Sequence, residues 1–202
     1  MRASSRARIA RSAARAFTNR AVLLALVAVT ALGCRAREKP AADSTPVTAP
    51  AASPWTVTNA GAGVLRIGMT REELSRDLHA ELPKNTSADS DCAYHAVPGI
   101  PKGMRTMWVA GTLARIEILA PGLATDRGAQ VGDPESRIDS LYHGSVTSTP
   151  AKYDPKGSYL VVRPSAPANS SRRIVFETDS SHRVTRYRAG REPEVEWVEG
   201  CS

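Results

Sequence analysis

The feature that most limits what this chain can become lies near its start. Residues 21–32 read Ala-Val-Leu-Leu-Ala-Leu-Val-Ala-Val-Thr-Ala-Leu, a run without a charge, and Gly33-Cys34 follows at once. Ahead of the run stand Arg2, Arg6, Arg8, Arg11, Arg15 and Arg20, with no acid among them. A basic segment, a short apolar segment and then small residues together make a secretory signal. The run is shorter than the roughly 18–20 residues a bilayer-spanning helix needs. Residues 1–33 are therefore expected to be removed as a signal peptide and not to join the fold. The rest is expected to fold in an oxidising compartment, which decides what its cysteines can do.

The same basic segment explains the charge. The 202 residues carry 27 Lys and Arg against 20 Asp and Glu, a formal +7. From Trp55 onward the count is 18 against 18. The folded part therefore has no electrostatic footprint for DNA or RNA, and nucleic acid is excluded as a partner. With 42% hydrophobic and 23% charged residues the chain reads as an ordinary globular protein, long enough for one sizeable core.

Ala31-Leu32-Gly33-Cys34 resembles the lipobox of bacterial lipoproteins. There the cysteine thiol is diacylated, the signal is cut before it, and the new amine is acylated. Ala31 stands where that pattern usually has leucine, and Leu32 comes one step later. The resemblance implies Cys34 as the attachment point of palmitate-type chains and a membrane anchor. Each buried methylene contributes about 0.8 kcal/mol, so two or three chains hold stably. A plain cleaved signal with a free Cys34, or an uncleaved anchor helix, stay open as other readings. Residues 34–54 are expected to be the lipidated cysteine and a tether. The stretch after Cys34 has four prolines and Val47 as its one large aliphatic residue, so it cannot build a core. As a coil it spans roughly 25 Å.

With Cys34 lipidated, Cys92 and Cys201 remain. In an oxidising compartment two leftover thiols usually pair, so a Cys92–Cys201 disulfide is expected, the alternative being free or intermolecular thiols. Cys92-Ala-Tyr-His95 is the one Cys/His cluster in the sequence. A zinc site wants three or four ligands at recognisable spacing, so no metal is expected.

Residues 55–202 carry an internal likeness. Ile67-Gly68-Met69-Thr70-Arg71-Glu72-Glu73-Leu74 parallels Val131-Gly132-Asp133-Pro134-Glu135-Ser136-Arg137-Ile138. Each stretch opens a short helix. Thr70 and Glu73 are spaced as a capping box, with Met69 and Leu74 at the staple positions. Asp133 is expected to cap the second helix, with Pro134 as its first residue and Gly144 as its stop. Strands are expected over Met104–Val109, Thr112–Ile118, Tyr159–Arg163, Arg172–Glu177 and Arg183–Arg188, with a last one over Val195–Val198. Ala110-Gly111 suits a hairpin turn. The expected fold class is α+β. Two tandem helix-then-antiparallel-strand units, about 55–124 and 125–202, would share one sheet with both helices on one face.

Gly68-Met69-Thr70-Arg71-Glu72-Glu73-Leu74 resembles the helix start of the SmpA/OmlA (BamE-like) outer-membrane lipoproteins. The doubled layout resembles the β-lactamase-inhibitory proteins, which bind enzymes with a sheet face. The whole pattern looks like an uncharacterised group of bacterial envelope lipoproteins. Where the first family commonly closes its helix with Leu-Gly-x-Pro, this chain has Leu78-His79-Ala80. The chain is also longer, so no binding residue of either family transfers to it.

Chemical motifs are mostly missing. The sequence has no Gly-x-Ser-x-Gly, no His-Glu-x-x-His and no phosphate-cradling glycine loop. No cofactor is expected, and the residues favour a non-catalytic protein over an enzyme. Arg183, Arg186, Arg188 and Arg191 run into Glu192, Glu194, Glu196 and Glu199. Cross-strand ion pairing between these two groups is the expectation, and an arginine face for an anionic ligand is the rival. Tyr94, Trp108, Tyr159, Tyr187 and Trp197 are the candidate partner-binding residues, since aromatic rings on an open sheet face make good anchors. The expected function is a monomeric, lipid-anchored binding or scaffold module. It would lie on the periplasmic or outer side of a bacterial envelope, on the outer membrane if the cell is Gram-negative, and meet an envelope protein through its sheet face. The rival is an envelope hydrolase or small-ligand-sequestering protein with a pocket between the two units.

Overall fold

A computed structural model describes residues 53–83, 91–165 and 170–202. The expected signal peptide, Cys34 and nearly all of the expected tether lie outside the described residues.

The described chain opens with β1 (Val57–Thr58), β2 (Gly61–Ala62) and β3 (Leu65–Arg66), which form a small antiparallel sheet. Then come α1 (Arg71–Leu78), β4 (Cys92–His95), β5 (Met104–Val109) and β6 (Thr112–Ile118). After α2 (Glu135–Leu141) follow β7 (Val146–Pro150), β8 (Ser158–Val162), β9 (Arg172–Thr178) and β10 (Val184–Arg191). Strands β4 to β10 make one sheet of seven antiparallel strands in the order β4-β5-β6-β10-β9-β8-β7. A 3-10 turn at Glu194–Glu196 leads to the C-terminus.

This corrects the expected α+β layout. The described protein is mostly β, with sheets of three and seven strands and helices of only eight and seven residues. Two tandem helix-then-strand units sharing one sheet do not describe it. Among the described residues the first sheet has no counterpart after residue 125, and four strands follow α2 where three follow α1. Strands of two residues are too short to print a period of two on the sequence. What makes the small sheet is close backbone approach. At Gly61 a Cβ would stand 1.9 Å from the Leu65 carbonyl oxygen, so only glycine fits between β2 and β3.

Helix α1 starts as local chemistry directs, and α2 does not. In α1 the Glu73 amide donates to Thr70 Oγ1 at 3.2 Å, and the Thr70 amide donates to Glu73 Oε2 at 2.8 Å. The capping box thus satisfies two otherwise orphaned donors. In α2 the residue before the first turn is Pro134, not Asp133. The Asp133 carboxylate instead accepts from the Gln130 amide and from Arg137.

Alternation along the strands divides the large sheet into two unlike faces. One face is apolar. Ile118, Tyr187, Phe176 and Leu160 are consecutive cross-strand neighbours on it, as are Ile116, Ala189, Ile174 and Val162. All eight are buried, and Leu74 of α1 and Ile138 of α2 belong to the same core. Neither helix is long enough to stand alone in water, so this packing is what stabilises both. The opposite face is charged. Arg105, Glu117 and Arg188 are cross-strand neighbours, and the next row holds Arg186, Glu177 and Tyr159.

Candidate functional site

The charged face does not stand open over β5, β6 and β10. The 3-10 turn and the chain beyond it cross it and are fixed by side chains of the sheet. Arg115, 2% exposed, donates from Nη1 to the carbonyls of Glu194 (2.9 Å) and Trp197 (2.6 Å). Arg188 donates from Nε to the Val195 carbonyl at 2.6 Å. Cys201 then meets Cys92 on edge strand β4, with sulfurs 1.99 Å and Cα atoms 5.3 Å apart. Gly200 lies flat against the side chains below, with φ at 69°. A Cβ there would come within 2.3 Å of Tyr94 Oη and 3.3 Å of an Arg115 guanidinium nitrogen.

Between this segment and the sheet is a cavity of about 240 Å³. Its charged lining residues are Arg105, Arg115, Arg186, Arg188, Glu117 and Glu199, and Tyr94, Tyr153, Tyr187 and Val198 complete it. Glu117, 5% exposed, is the hub. It accepts from Arg115, from Arg105, and from the Tyr94 hydroxyl at 2.8 Å. Burial pushes the Glu117 carboxyl up, yet the Arg115 charge and the hydrogen bonds from Arg105 and Tyr94 outweigh it and hold it below the ordinary range. Burial raises the Tyr94 hydroxyl, and the Glu117 charge adds to this, so it stays a donor. Arg105 also stacks over the Tyr94 ring at 4.3 Å.

The second carboxylate is Glu177. It takes a two-pronged pair from Arg186 at 2.9 and 2.8 Å and a longer contact from Arg188 at 3.3 Å. Burial and the neighbouring Arg115 charge lower the Arg188 guanidinium, and Glu177 only partly offsets them. At the mouth, Glu199 accepts from Lys152 at 2.6 Å and from the Tyr153 hydroxyl. The arrangement is a fixed set of donors with buried countercharge. It is suited to holding an anion.

No protein-family model matches the chain, and no curated protein does. Among solved structures it is similar to the uncharacterized protein yfeY from Escherichia coli. The TM-score is 0.40 at 17% identity, over 67% of this chain and 99% of that one. It is also similar to an extracellular protein containing a SCP domain from Bacillus anthracis str. Ames. There the TM-score is 0.41 at 10% identity, over 71% of this chain and 48% of that one.

The residues singled out from sequence fall into separate places. Trp108 and Tyr187 are buried in the helix-side core, so neither ring is available to a partner. The Trp108 Nε1 donates to Thr106 Oγ1 at 2.9 Å, and the Tyr187 hydroxyl donates to the Leu123 carbonyl at 3.0 Å. Tyr94 and Tyr159 stand half-buried on the charged face, and Trp197 is 37% exposed. Cys92 and Cys201 meet, as elimination among the three cysteines implies.

The expected pairing of the C-terminal arginines with the glutamates after them is mostly replaced. Arg191 does reach Glu194 at 2.9 Å, but Arg186 and Arg188 turn to Glu177 on β9, which sequence reading passed over. Residues 194–196 are a 3-10 turn and not a strand, so no ladder sets the glutamates opposite the arginines. The clue was alternation. Arg186 and Arg188 take every second place in β10 around apolar Tyr187 and Ala189, as Arg115 and Glu117 do around Ile116. Among the described residues no group of three or more His, Cys, Asp or Glu could hold a metal ion, and no helix is long and apolar enough to cross a membrane.

Proposed function

We propose that this chain is a lipid-anchored, extracytoplasmic binding module without catalytic activity, which meets an envelope protein on the sheet face crossed by its C-terminal segment. The observation that carries the reading is the finish of that face. Tyr153 and Trp197 stand exposed at 66% and 37%. The Trp197 backbone is tied down by Arg115 and the nearby disulfide, and beside Tyr153 the Lys152 amide donates to the Tyr159 hydroxyl at 3.1 Å while the Tyr153 hydroxyl donates to Glu199. Aromatic anchors on a fixed backbone lose little freedom on docking, which is how a small surface reaches useful affinity.

The anchoring half of the proposal rests on Ala31-Leu32-Gly33-Cys34 and on the proline-rich stretch behind it. The likeness of Gly68–Leu74 to the SmpA/OmlA lipoproteins belongs to the same reading. The test is crosslinking of the full chain in its native membrane, followed by mass spectrometry. One envelope protein should be captured by the wild type and lost from a Tyr153→Ala, Trp197→Ala double variant that still melts cooperatively. Undiminished capture by that variant would sink the docking face. Cys34→Ser should release the protein into the soluble extracytoplasmic fraction, and tight membrane association of this variant would count against the anchor.

A further inference from the structure

The cavity under the C-terminal segment holds more positive charge than its own carboxylates cancel. Arg105, Arg115, Arg186 and Arg188 all line it. Glu117 answers the first two and Glu177 the last two. Glu199, the other acid at the mouth, is already held by Lys152. Two carboxylates thus serve four guanidinium groups, an excess of two charges in a site walled by protein.

Hydrogen-bond donors are in excess as well. A guanidinium carries five N–H groups in a fixed fork. Arg105 gives its Nε to Glu117, and Arg186 gives Nε and Nη2 to Glu177. These two side chains are 44% and 37% exposed, so their remaining donors are within reach of a solute. Deeper in, Arg115 Nε is buried without a hydrogen-bond partner. Burial lowers the Arg188 guanidinium first, and the Arg115 charge beside it adds to this.

Size narrows the ligand. At about 240 Å³ the cavity is smaller than the roughly 300–1,000 Å³ of pockets that enclose drug-sized molecules, so it has room for one compact group. A planar carboxylate is satisfied by a single arginine fork. A tetrahedral oxyanion with two charges accepts donors from several directions, which is what guanidinium groups on three neighbouring strands offer.

We propose that this cavity binds a phosphate group, carried by a free phosphate or soluble phosphomonoester or by a phosphate-bearing lipid headgroup, with Arg105 and Arg186 as donors at the rim and Arg115 and Arg188 supplying the buried positive field. The site does not depend on a protein partner, so it stands or falls separately from the docking face above.

The first arm of the test is calorimetric titration of the full chain in non-ionic detergent at low salt, with inorganic phosphate and with glycerol phosphate. Saturable one-site binding is expected. Arg105→Gln and Arg186→Gln should each weaken it about ten- to a hundredfold, as loss of a charge-assisted hydrogen bond does. Glu199→Gln should tighten it several-fold, because it removes a negative charge from the mouth. A cluster that only supports the fold would not gain affinity from that change.

The second arm is sedimentation of Cys34→Ser protein with phosphatidylcholine vesicles, with and without phosphatidic acid. Co-sedimentation that needs phosphatidic acid and is lost with the arginine variants, without binding of soluble phosphates, assigns the lipid source. Binding of the soluble phosphates assigns the other. No saturable binding in either arm overturns the proposal, and so does binding that ignores both arginine variants. Thermal melts check that each variant folds; if Arg186→Gln does not, the more exposed Arg105 and Glu199 decide the matter.

Discussion

Replacing Cys201 with serine removes the covalent link to Cys92 and leaves the C-terminal segment to its non-covalent contacts. The linked residues are 109 apart in sequence. Freeing the unfolded chain of a loop that long costs about 4–5 kcal/mol in the chain-entropy account. The hydrogen bonds from Arg115 to the Glu194 and Trp197 carbonyls, and from Arg188 to the Val195 carbonyl, do not involve the cysteines. The segment should therefore stay docked in the folded variant, and most of the loss should come from the unfolded state. For a domain of about 150 residues each kcal/mol shifts Tm by roughly 2–4 °C, so the variant should melt roughly 10–20 °C lower. Cys92→Ser should do the same, and the double variant should add nothing, since all three remove one bond. The assay is thermal unfolding followed by circular dichroism, with and without reductant. Reduced wild type should overlay oxidised Cys201→Ser. A variant within about 3 °C of wild type would refute the reasoning. So would peptide mapping that recovers both wild-type thiols alkylated without prior reduction.

Four further outcomes are expected. Glu117→Gln leaves Arg115 buried without its countercharge and should cost about 3–5 kcal/mol in urea unfolding, as breaking one side of a buried pair does. The Glu117 carboxyl is lowered on folding, so the stability it adds is complete above its ordinary value of 4.5 and is lost as pH falls through the lower folded value. The urea midpoint should drop in that acid range, and more weakly in Glu117→Gln. Gly200→Ala forces a Cβ to within 2.3 Å of Tyr94 Oη at a φ of 69°, and should destabilise by about 1–3 kcal/mol, read as a lower Tm. Thr70→Ala removes the α1 cap and should cost about 1 kcal/mol by denaturant titration, with Thr70→Ser recovering most of it.

What could be read from the chain was what neighbouring residues decide among themselves. The Thr70–Glu73 box lies within a single helical turn, and the hairpin at Ala110-Gly111 lies within two long alternating strands; both stand where the residue types put them. The disulfide was legible because two cysteines remain once Cys34 is set aside. The fold as a whole was not. The paired likeness of the two helix starts suggested two equal halves, while β1 to β3, which lack a counterpart, leave no periodic trace. Misreading the last strand had a physical cause too. Glu194-Val195-Glu196-Trp197 alternates polar and apolar residues, yet its backbone is fixed by arginines from β6 and β10 that reach its carbonyls. Arg115 and Glu194 are 79 residues apart. Contacts over such distances leave no local pattern. Glu177 is only nine residues from Arg186, and it was passed over because the glutamates that directly follow the arginines offered a nearer pairing.

The sulfur bridge also sets how the protein carries load. Consider a pull applied between Trp55 and Ser202, the geometry in which a tethered protein is dragged by whatever holds its other end. Force arriving at Cys201 crosses directly to Cys92, over Cα atoms 5.3 Å apart, and never runs through the strands between them. The seven-stranded sheet therefore cannot be unzipped from the end at which it is held. Only the stretch ahead of Cys92, with the small sheet and α1, can lengthen; its about 37 residues reach roughly 130 Å when drawn straight. Stretched this way, the molecule behaves as a compliant leader joined to an inextensible ring, and the ring is the part that holds the arginines.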